Sequence, residues 1–519
     1  MDLQGMMDRF LSYAWIIPCV FSILPLLLVC NGDIVGAGPD VVSTVWGMWW
    51  FQQEGLVAAQ GLHSTLLNYP HGAYGVVLSP LSAVVWSLCE PVVGVGWATL
   101  LSSWIQVILL SCGCALLARR VQLPWAIAAL VPLIGTYLFF GIGEGSLVAI
   151  ACAPMAFGLY FLLELAQGRW RDALGASFCM VWMALENPYL APFLPGMAAI
   201  FWIFRSGVRS KYAVSLFVGS IGILYVAALF GAAANPDYPR EVAGQQVAMF
   251  GYAWNIVELP WARMELWEFF WPEEIRWTTD AKNATEASGG RYLGLSVFLI
   301  SLYGVWKHRE ARMWMLLSMV GVFLSLGSVY QGFAVPFLFL NQLMDVIARP
   351  LTQPTRYLCF ASVGLAMCVA YALKDISARA KWMVIGVLLL DGIFLGALRL
   401  RLPTTALPKF SCTQKVDGPT LVWPFDAQDG ELGQSQLYQM VHEQPSVHTG
   451  IASWALPEGK RALDQVRGSG FTTEGSNIRF SRLYRLGYRW VISEKQLRGR
   501  GAKEYSCSDG TWLYRLYNR

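Results

Sequence analysis

The chain has 519 residues, of which 55% are hydrophobic and only 14% are charged, and its mean hydropathy is +0.45. This composition is too apolar for an ordinary water-soluble protein of this length, so lipid is expected to be its main solvent. The formal net charge is only +4, and the 38 Lys and Arg residues fall in short clusters between apolar runs, which argues against a nucleic-acid partner.

The first apolar run extends from about Tyr13 to Cys30, which is long enough to cross the hydrocarbon layer. No small-residue cleavage site follows it, so we expect a membrane anchor rather than a removed signal peptide. Further apolar runs predict spanning helices near 94–118, 123–142, 146–166, 172–186, 188–205, 212–231, 292–306, 312–328, 356–373 and 382–400. The predicted fold class is an α-helical polytopic membrane protein with about eleven transmembrane helices.

Basic residues fall in alternate connections between these runs, which the positive-inside rule assigns to the cytoplasm. These connections hold Arg119/Arg120, Arg169/Arg171, Arg205/Arg209/Lys211, Lys307/Arg309/Arg312 and Lys374/Arg379/Lys381. The orientation predicts a cytoplasmic N-terminus and an exterior C-terminal segment. It also places outside the membrane the loop from 31 to 93, the turns at Glu144 and Glu186, the Trp- and Glu-rich loop 232–291, and the segment 329–355.

The first exterior loop is too apolar for a simple solvated connection. Val41 to Phe51 has a helical pattern with aromatic side chains around most of its girth. Val76 to Leu88 is a second apolar stretch, which is short for a span. We therefore expect two juxtamembrane helices in this loop, lying along the membrane interface. A spanning second helix would put every basic connection from Arg119 onward on the wrong side.

After Leu400 the composition changes to shorter apolar runs separated by polar turns. The runs Thr420–Pro424 and Tyr488–Ile492 are typical of strands, while Gln434–His442 and Gly459–Val466 are typical of helices. This mixture predicts a small α+β domain beyond the last span.

The chain is thus predicted to divide into a transmembrane domain, residues 1–400, and a soluble exterior α+β domain, residues 401–519. Cys412 and Cys507 flank this second domain and are disulfide candidates, which would place it in an oxidising compartment such as the periplasm. His442 has no acidic cluster beside it, so we expect it at the surface.

Several short motifs follow one another in a fixed order. They are the Gly-Asp pair after the first span, Pro39-Asp40 opening an aromatic helix that runs to Trp49-Trp50, Asn68-Tyr69-Pro70-His71-Gly72, the GxGEGSL stretch around Glu144, the ENPYL turn at Glu186, Tyr292-Leu293-Gly294, and Arg349-Pro350 through Pro354-Thr355-Arg356-Tyr357. In this order they resemble bacterial membrane glycosyltransferases of the GT-C superfamily, over most of the chain before residue 400.

This resemblance implies a polyprenyl-phosphate sugar donor, an acceptor on the exterior face, and a place in the inner (cytoplasmic) membrane of a bacterium. It also implies that an acidic residue of the first exterior loop acts as catalytic base or as ligand of a divalent metal, Mg²⁺ or Mn²⁺. In this sequence that residue is Asp40, with Asp33 as the alternative, and Glu144 and Glu186 are the second acidic positions. A carboxylate at hydrogen-bond distance takes the proton of the acceptor hydroxyl as the anomeric carbon is attacked.

Arg349 and Arg356 sit at the predicted exterior mouth of a later span. The planar fork of a guanidinium group suits the phosphate of a lipid-linked donor, so both are candidate donor-phosphate ligands. Ordinary snorkelling of the two side chains to the interface is the alternative.

Each acidic candidate also has a structural interpretation. Asp40 is a good helix N-cap, Asp33 fits a turn, and Glu144 fits a solvated helix end. Glu186 lies in a helix break, which at membrane depth is tolerated where it lines protein or a water-filled cavity. Asp391, inside the last predicted span, is expected to have a structural partner there.

The leading functional hypothesis is therefore a GT-C-type transferase whose partners are the bilayer and a lipid-linked sugar. The main rival is a non-catalytic scaffold that docks other envelope proteins through its C-terminal domain. A transporter would be expected to show internal repeats with matched helix breaks, and none is convincing here.

Overall fold

The computed structural model describes residues 15–29, 31–55, 63–64, 66, 73–74, 79–143, 150–165, 170–187, 269–270, 292–325, 329–330, 333–334, 357–400, 402–423, 434–446, 464–471 and 478–518. The helices within these residues are α1 (Ile16–Leu27), α2 (Pro39–Glu54), α3 (Pro80–Val93), α4 (Val95–Arg120), α5 (Trp125–Ile134), α6 (Tyr137–Gly143), α7 (Ala153–Leu165), α8 (Trp170–Glu186), α9 (Leu295–Lys307), α10 (Ala311–Ser325), α11 (Leu358–Ala372), α12 (Ala378–Phe394), α13 (Gln434–His442) and α14 (Phe480–Arg485). The strands are β1 (Ile34–Val35), β2 (His63–Ser64), β3 (Ala73–Tyr74), β4 (Val329–Tyr330), β5 (Phe333–Ala334), β6 (Thr404–Thr405), β7 (Thr420–Trp423), β8 (Trp490–Ser493), β9 (Ala502–Ser506) and β10 (Trp512–Leu516).

Helices occupy the predicted apolar runs wherever those runs are described, and the runs 188–205 and 212–231 lie outside the described residues. Within the described part of the chain, α4 is long and apolar enough to cross a membrane by itself. The pair α5 and α6, bent by 48° at a short break, meets the same criterion if it is counted as one span. The other apolar helices are shorter, with 10–17 residues. Eleven spans therefore remain a prediction.

The chain folds as two compact units, each assembled from separate stretches of sequence. The first comprises Met1–Asn31, Leu100–Ala234 and Gln246–Pro403. The second comprises Gly32–Thr99, Asn235–Gln245 and Thr404–Arg519. The segment Gly32–Thr99 thus folds with the C-terminal residues.

Helix α11 is the centre of packing in the first unit. Every one of its residues is buried, and it lies against α10, α9 and α5. A Cβ added at Gly364 would collide with Ser318 on α10, and one at Gly321 would collide with the backbone of Ala361. Small residues at such positions let helices approach backbone to backbone, which is how helices associate where lipid removes the hydrophobic drive.

Asp391 links α12 to the start of α9, again within the first unit. Its carboxyl group is buried and accepts hydrogen bonds from the Tyr292 hydroxyl, from the Ser296 hydroxyl, and from the Ser296 backbone N–H at 2.7 Å. Tyr292 in turn accepts from the Leu295 N–H at 2.8 Å. The first N–H groups of a helix have no partner within the helix, so Asp391 and Tyr292 cap α9 from outside it. The structure gives Asp391 the structural partners expected of it.

In the second unit, β7, β8, β10 and β9 form a four-stranded sheet in that order. Strand β7 runs parallel to β8, while β10 is antiparallel to both β8 and β9. Because successive side chains of a strand point to opposite faces, the sheet separates two apolar clusters. One face carries Leu421, Val491 and Tyr514 and packs with α14, and the other packs around the Cys412–Cys507 disulfide.

His442, the last residue of α13, is buried, whereas the sequence predicts a position at the surface. Its side chain is 3% exposed, its Nδ1 accepts from the Gln444 N–H at 3.0 Å, and its Nε2 has no hydrogen-bond partner among the residues that the structure describes. Burial lowers the pKa of this imidazole to about 3. The packing of the second unit, which the sequence pattern does not reveal, is what removes His442 from solvent.

This histidine predicts a pH dependence of stability. In the unfolded chain its pKa returns to about 6.5, so below that pH protons bind the unfolded chain preferentially. Above about pH 6.5 we expect the titration of His442 to leave the free energy of unfolding unchanged. Below that pH, and down to about pH 3, we expect it to lower the free energy of unfolding by up to about 1.4 kcal/mol per pH unit. Thermal midpoints of wild type and His442→Gln, compared between pH 8 and pH 4.5, should converge as the pH falls. Parallel curves would contradict this.

Candidate functional site

Asp33 and Asp40 lie on one short segment of the second unit, framed by three glycines. Gly32, Gly36 and Gly38 have φ of +98°, +111° and +103°, a region that residues with a Cβ rarely adopt. Helix α2 begins at Pro39, and Gly38 occupies the N-cap position without a side-chain bond. Asp40 is therefore the second helical residue, and its interpretation as an N-cap is wrong. The cause is Pro39, which favours the first helical position and so pushes the cap one residue earlier.

The backbone on the Asp33 side of this segment is fixed by neighbours distant in sequence. Strand β1 pairs antiparallel with β6, so that Ile34 lies opposite Thr405, and the Thr405 hydroxyl donates to the Gly36 carbonyl at 2.8 Å. A Cβ added at Gly96 would collide with the carbonyl oxygens of Gly32 and Asp33. Only glycine leaves room for this approach, so the segment is closely packed where it leaves Asp33.

The three tryptophans of helix α2 are packed against protein, while Ser43 and Gln53 on the same helix are exposed. Its expected position along the membrane interface stays a prediction. The rings of Trp46, Trp49 and Trp50 are all buried, and the Trp46 and Trp50 rings stack with centroids 6.0 Å apart. Trp50 donates to Glu54 within the helix, and Gln52 donates to Glu90 on α3 at 3.0 Å. The two helices predicted in this loop are therefore present, and they pack against each other.

Glu186 belongs to the first unit and is buried at the end of α8. Its side chain is 1% exposed and accepts a hydrogen bond from Gln106 on α4 at 2.9 Å. The helix ends at Glu186, as the Glu-Asn-Pro break predicts. A buried carboxyl group needs such a donor, because burying it without a hydrogen bond costs roughly several kcal/mol. The sequence gives no sign of Gln106, since a neutral amide in an apolar helix breaks no pattern.

The structure thus brings Asp33 and Asp40 into one segment and places Glu186 in the other unit. Glu144, Arg349 and Arg356 lie outside the described residues. Among the residues that are described, no three His, Cys, Asp or Glu side chains are grouped so that they would hold a metal ion. The divalent cation stays a prediction, and no step below is routed through it.

No protein-family model matches the chain, and no curated protein matches it at a significant level. Solved structures do match. A mutant form of the arabinofuranosyltransferase AftD from mycobacteria is 14% identical, with a TM-score of 0.51, over 98% of this chain and 42% of that one. The chain therefore spans about two fifths of the length of AftD.

Two other structures are similar at lower scores. ArnT from Cupriavidus metallidurans, bound to undecaprenyl phosphate, is 12% identical with a TM-score of 0.44, over 99% of this chain and 98% of that one. The oligosaccharyltransferase from Archaeoglobus fulgidus is 12% identical with a TM-score of 0.37, over 98% and 73%. At these identities the similarity concerns the fold alone: over 98% of its length the chain has a fold similar to that of part of the arabinofuranosyltransferase AftD.

Proposed function

We propose that this chain is a membrane glycosyltransferase that moves a sugar from a polyprenyl-phosphate-linked donor to an acceptor on the exterior face of the bacterial inner membrane. The observation that supports it most is the fold, shared with the arabinofuranosyltransferase AftD over 98% of the chain. The class of donor and the role of an acidic residue in the first loop are inferred from the motifs that resemble the superfamily. In this proposal the N-terminus is cytoplasmic and the C-terminal α+β part is periplasmic.

The proposed chemistry is a single displacement at the anomeric carbon of the donor. Asp40 takes the proton from the acceptor hydroxyl as the oxygen attacks, a new carbon–oxygen bond forms, and the bond from the anomeric carbon to the phosphate oxygen breaks. Polyprenyl phosphate leaves with the electron pair of that bond. Arg349 and Arg356 are the proposed ligands of its charge, because a guanidinium group can donate two parallel hydrogen bonds to a phosphate.

The backbone around Asp40 is held in place from both sides, which suits a catalytic group. Proximity catalysis depends on a catalytic group held within a fraction of an ångström of its working position. The β1–β6 pairing on one side and the start of a 16-residue helix on the other fix the backbone there. Glu186, already hydrogen-bonded to Gln106 in the other unit, is proposed as a supporting acid and not as the base.

The function can be tested with the purified full chain in lipid nanodiscs. Polyprenyl-phosphate sugars labelled in the sugar are supplied with candidate envelope acceptors, and two products are measured together: free polyprenyl phosphate and labelled acceptor. Equal amounts of both are the expected result. Label passing from nucleotide sugars but from no polyprenyl-phosphate sugar would overturn the donor assignment. No transfer from either class, with envelope proteins cross-linking to the C-terminal part, would favour the scaffold.

A further inference from the structure

Gln439, on α13, joins the C-terminal part of the second unit to the helix that carries Asp40. Its side chain is 0% exposed. The Trp46 indole N–H of α2 donates to Gln439 Oε1 at 2.9 Å, and Gln439 Nε2 donates to the carbonyls of Leu66 and Gln444, each at 3.0 Å. The buried amide of Gln439 is therefore hydrogen-bonded to three places at once: Trp46 on α2, the backbone at Leu66, and the backbone at Gln444 just after α13.

A second contact repeats this one turn earlier. The Ser43 hydroxyl on α2 donates to Gln436 Oε1 on α13 at 3.3 Å. Residues three apart lie on the same face of a helix, so Ser43 and Trp46 form one face and Gln436 and Gln439 form the face opposite it. Two such contacts set both the rotation of α2 about its axis and its position along that axis.

The other end of the segment is held by the same part of the chain. Strand β6 pairs with β1 ahead of the Gly36–Gly38 turn, and Thr405 donates to the Gly36 carbonyl. Asp40 thus lies between an anchor at Gly36 and an anchor at Ser43 and Trp46. Both anchors are supplied by residues from 404 to 446, which are hundreds of positions away in sequence.

We propose that Gln439 is a positioning residue for catalysis, acting through Trp46 to set the place of Asp40. This inference rests on the proposed function, in which Asp40 is the base. Misplacing a catalytic group by about 1 Å can cost about 100-fold in rate without weakening substrate binding, because the lost interaction develops as the reaction proceeds. In this proposal, residues 404–446 hold the backbone that carries Asp40 in place.

The variant to make is Gln439→Met, which keeps the length of the side chain but removes all three hydrogen bonds. Trp46→Phe removes the same bond from the other side, and the double variant completes a cycle. Trp50→Phe is the matched control, because it removes an indole hydrogen bond within α2 and leaves the contact with α13 intact. We expect Gln439→Met and Trp46→Phe to lower kcat by about 10- to 100-fold with KM for the donor nearly unchanged. The double variant should be little worse than either, and Trp50→Phe should remain near wild type.

A second measurement needs no catalysis. Hydrogen–deuterium exchange of Gln439→Met should quicken at backbone amides 41–46, while the amides of β8 and β10 stay protected. Unchanged exchange at 41–46 overturns the inference whatever the activity. Faster exchange throughout the sheet, or a loss of kcat matched by Trp50→Phe, would show a general loss of structure and also overturns it. If wild type transfers no sugar while exchange at 41–46 does quicken, the proposed function fails, and the positioning role of Gln439 fails with it.

Discussion

Asp40→Asn is expected to lower kcat by about 100- to 10,000-fold, the usual contribution of a general base. The amide is nearly the same size as the carboxyl group but cannot take the acceptor's proton. Because this proton moves only as the new bond forms, KM for the donor should change little. The measurement is initial-rate transfer from a polyprenyl-phosphate sugar by the nanodisc-bound chain, with folding checked by the thermal midpoint.

Glu54→Gln is the matched control for Asp40→Asn. Both changes remove one carboxyl group from α2, one in its first turn and one at its last residue. We expect Glu54→Gln to keep near wild-type turnover, because the bond that Glu54 accepts comes from Trp50 in the same helix, and an amide oxygen can accept it as well. Asp33→Asn separates the two candidate bases: full activity of Asp40→Asn together with an inactive Asp33→Asn would transfer the role to Asp33.

The helices are the part of this fold that the sequence predicts well. Runs of apolar residues bounded by basic clusters place α4, and the helix predicted at Gln434–His442 has the observed bounds of α13. The helices α2 and α3 were also expected. The stretch that forms α3 is short for a span, and a spanning helix there would put the basic connections from Arg119 onward on the wrong side of the membrane. Hydrophobic periodicity and charge are local signals, and these elements depend on them.

What the sequence could not give is the set of long-range partners. Strands β1 and β6 have two residues each, too few for any alternation to show, and the Thr405 hydroxyl that bonds the Gly36 carbonyl beside them is 369 positions away in sequence. Buried amides such as Gln106 and Gln439 look like any polar residue within a helix until their partners are known. The burial of the α2 tryptophans against protein could not be predicted either, because aromatic side chains occur both at membrane surfaces and in protein cores.

The cap of α2 was within reach of sequence reasoning. Proline has no backbone N–H and fits the first helical position, so Pro39 by itself indicates Gly38 as the cap and Asp40 as the second residue.

Asp391→Leu is expected to lower the free energy of unfolding by about 3 kcal/mol or more. It leaves three donors without this acceptor, namely the buried Tyr292 hydroxyl and both the hydroxyl and the N–H of the half-buried Ser296, and a buried unsatisfied donor costs about 1–3 kcal/mol. The start of α9 also loses its cap. Urea or thermal unfolding of the full chain in detergent, followed by tryptophan fluorescence, measures the loss.

The matched control for Asp391→Leu is Asp375→Leu. Asp375 is 56% exposed, and its carboxyl oxygen lies 3.7 Å from Nε2 of His308, so its removal should cost less than about 1 kcal/mol. A double-mutant cycle separates a lost cap from a generally weakened core: Asp391→Leu should cost less when Ser296 is already alanine, because one orphaned hydroxyl is then absent. Additive losses would mean that Asp391 acts on the stability of α12 and not through its bonds to α9.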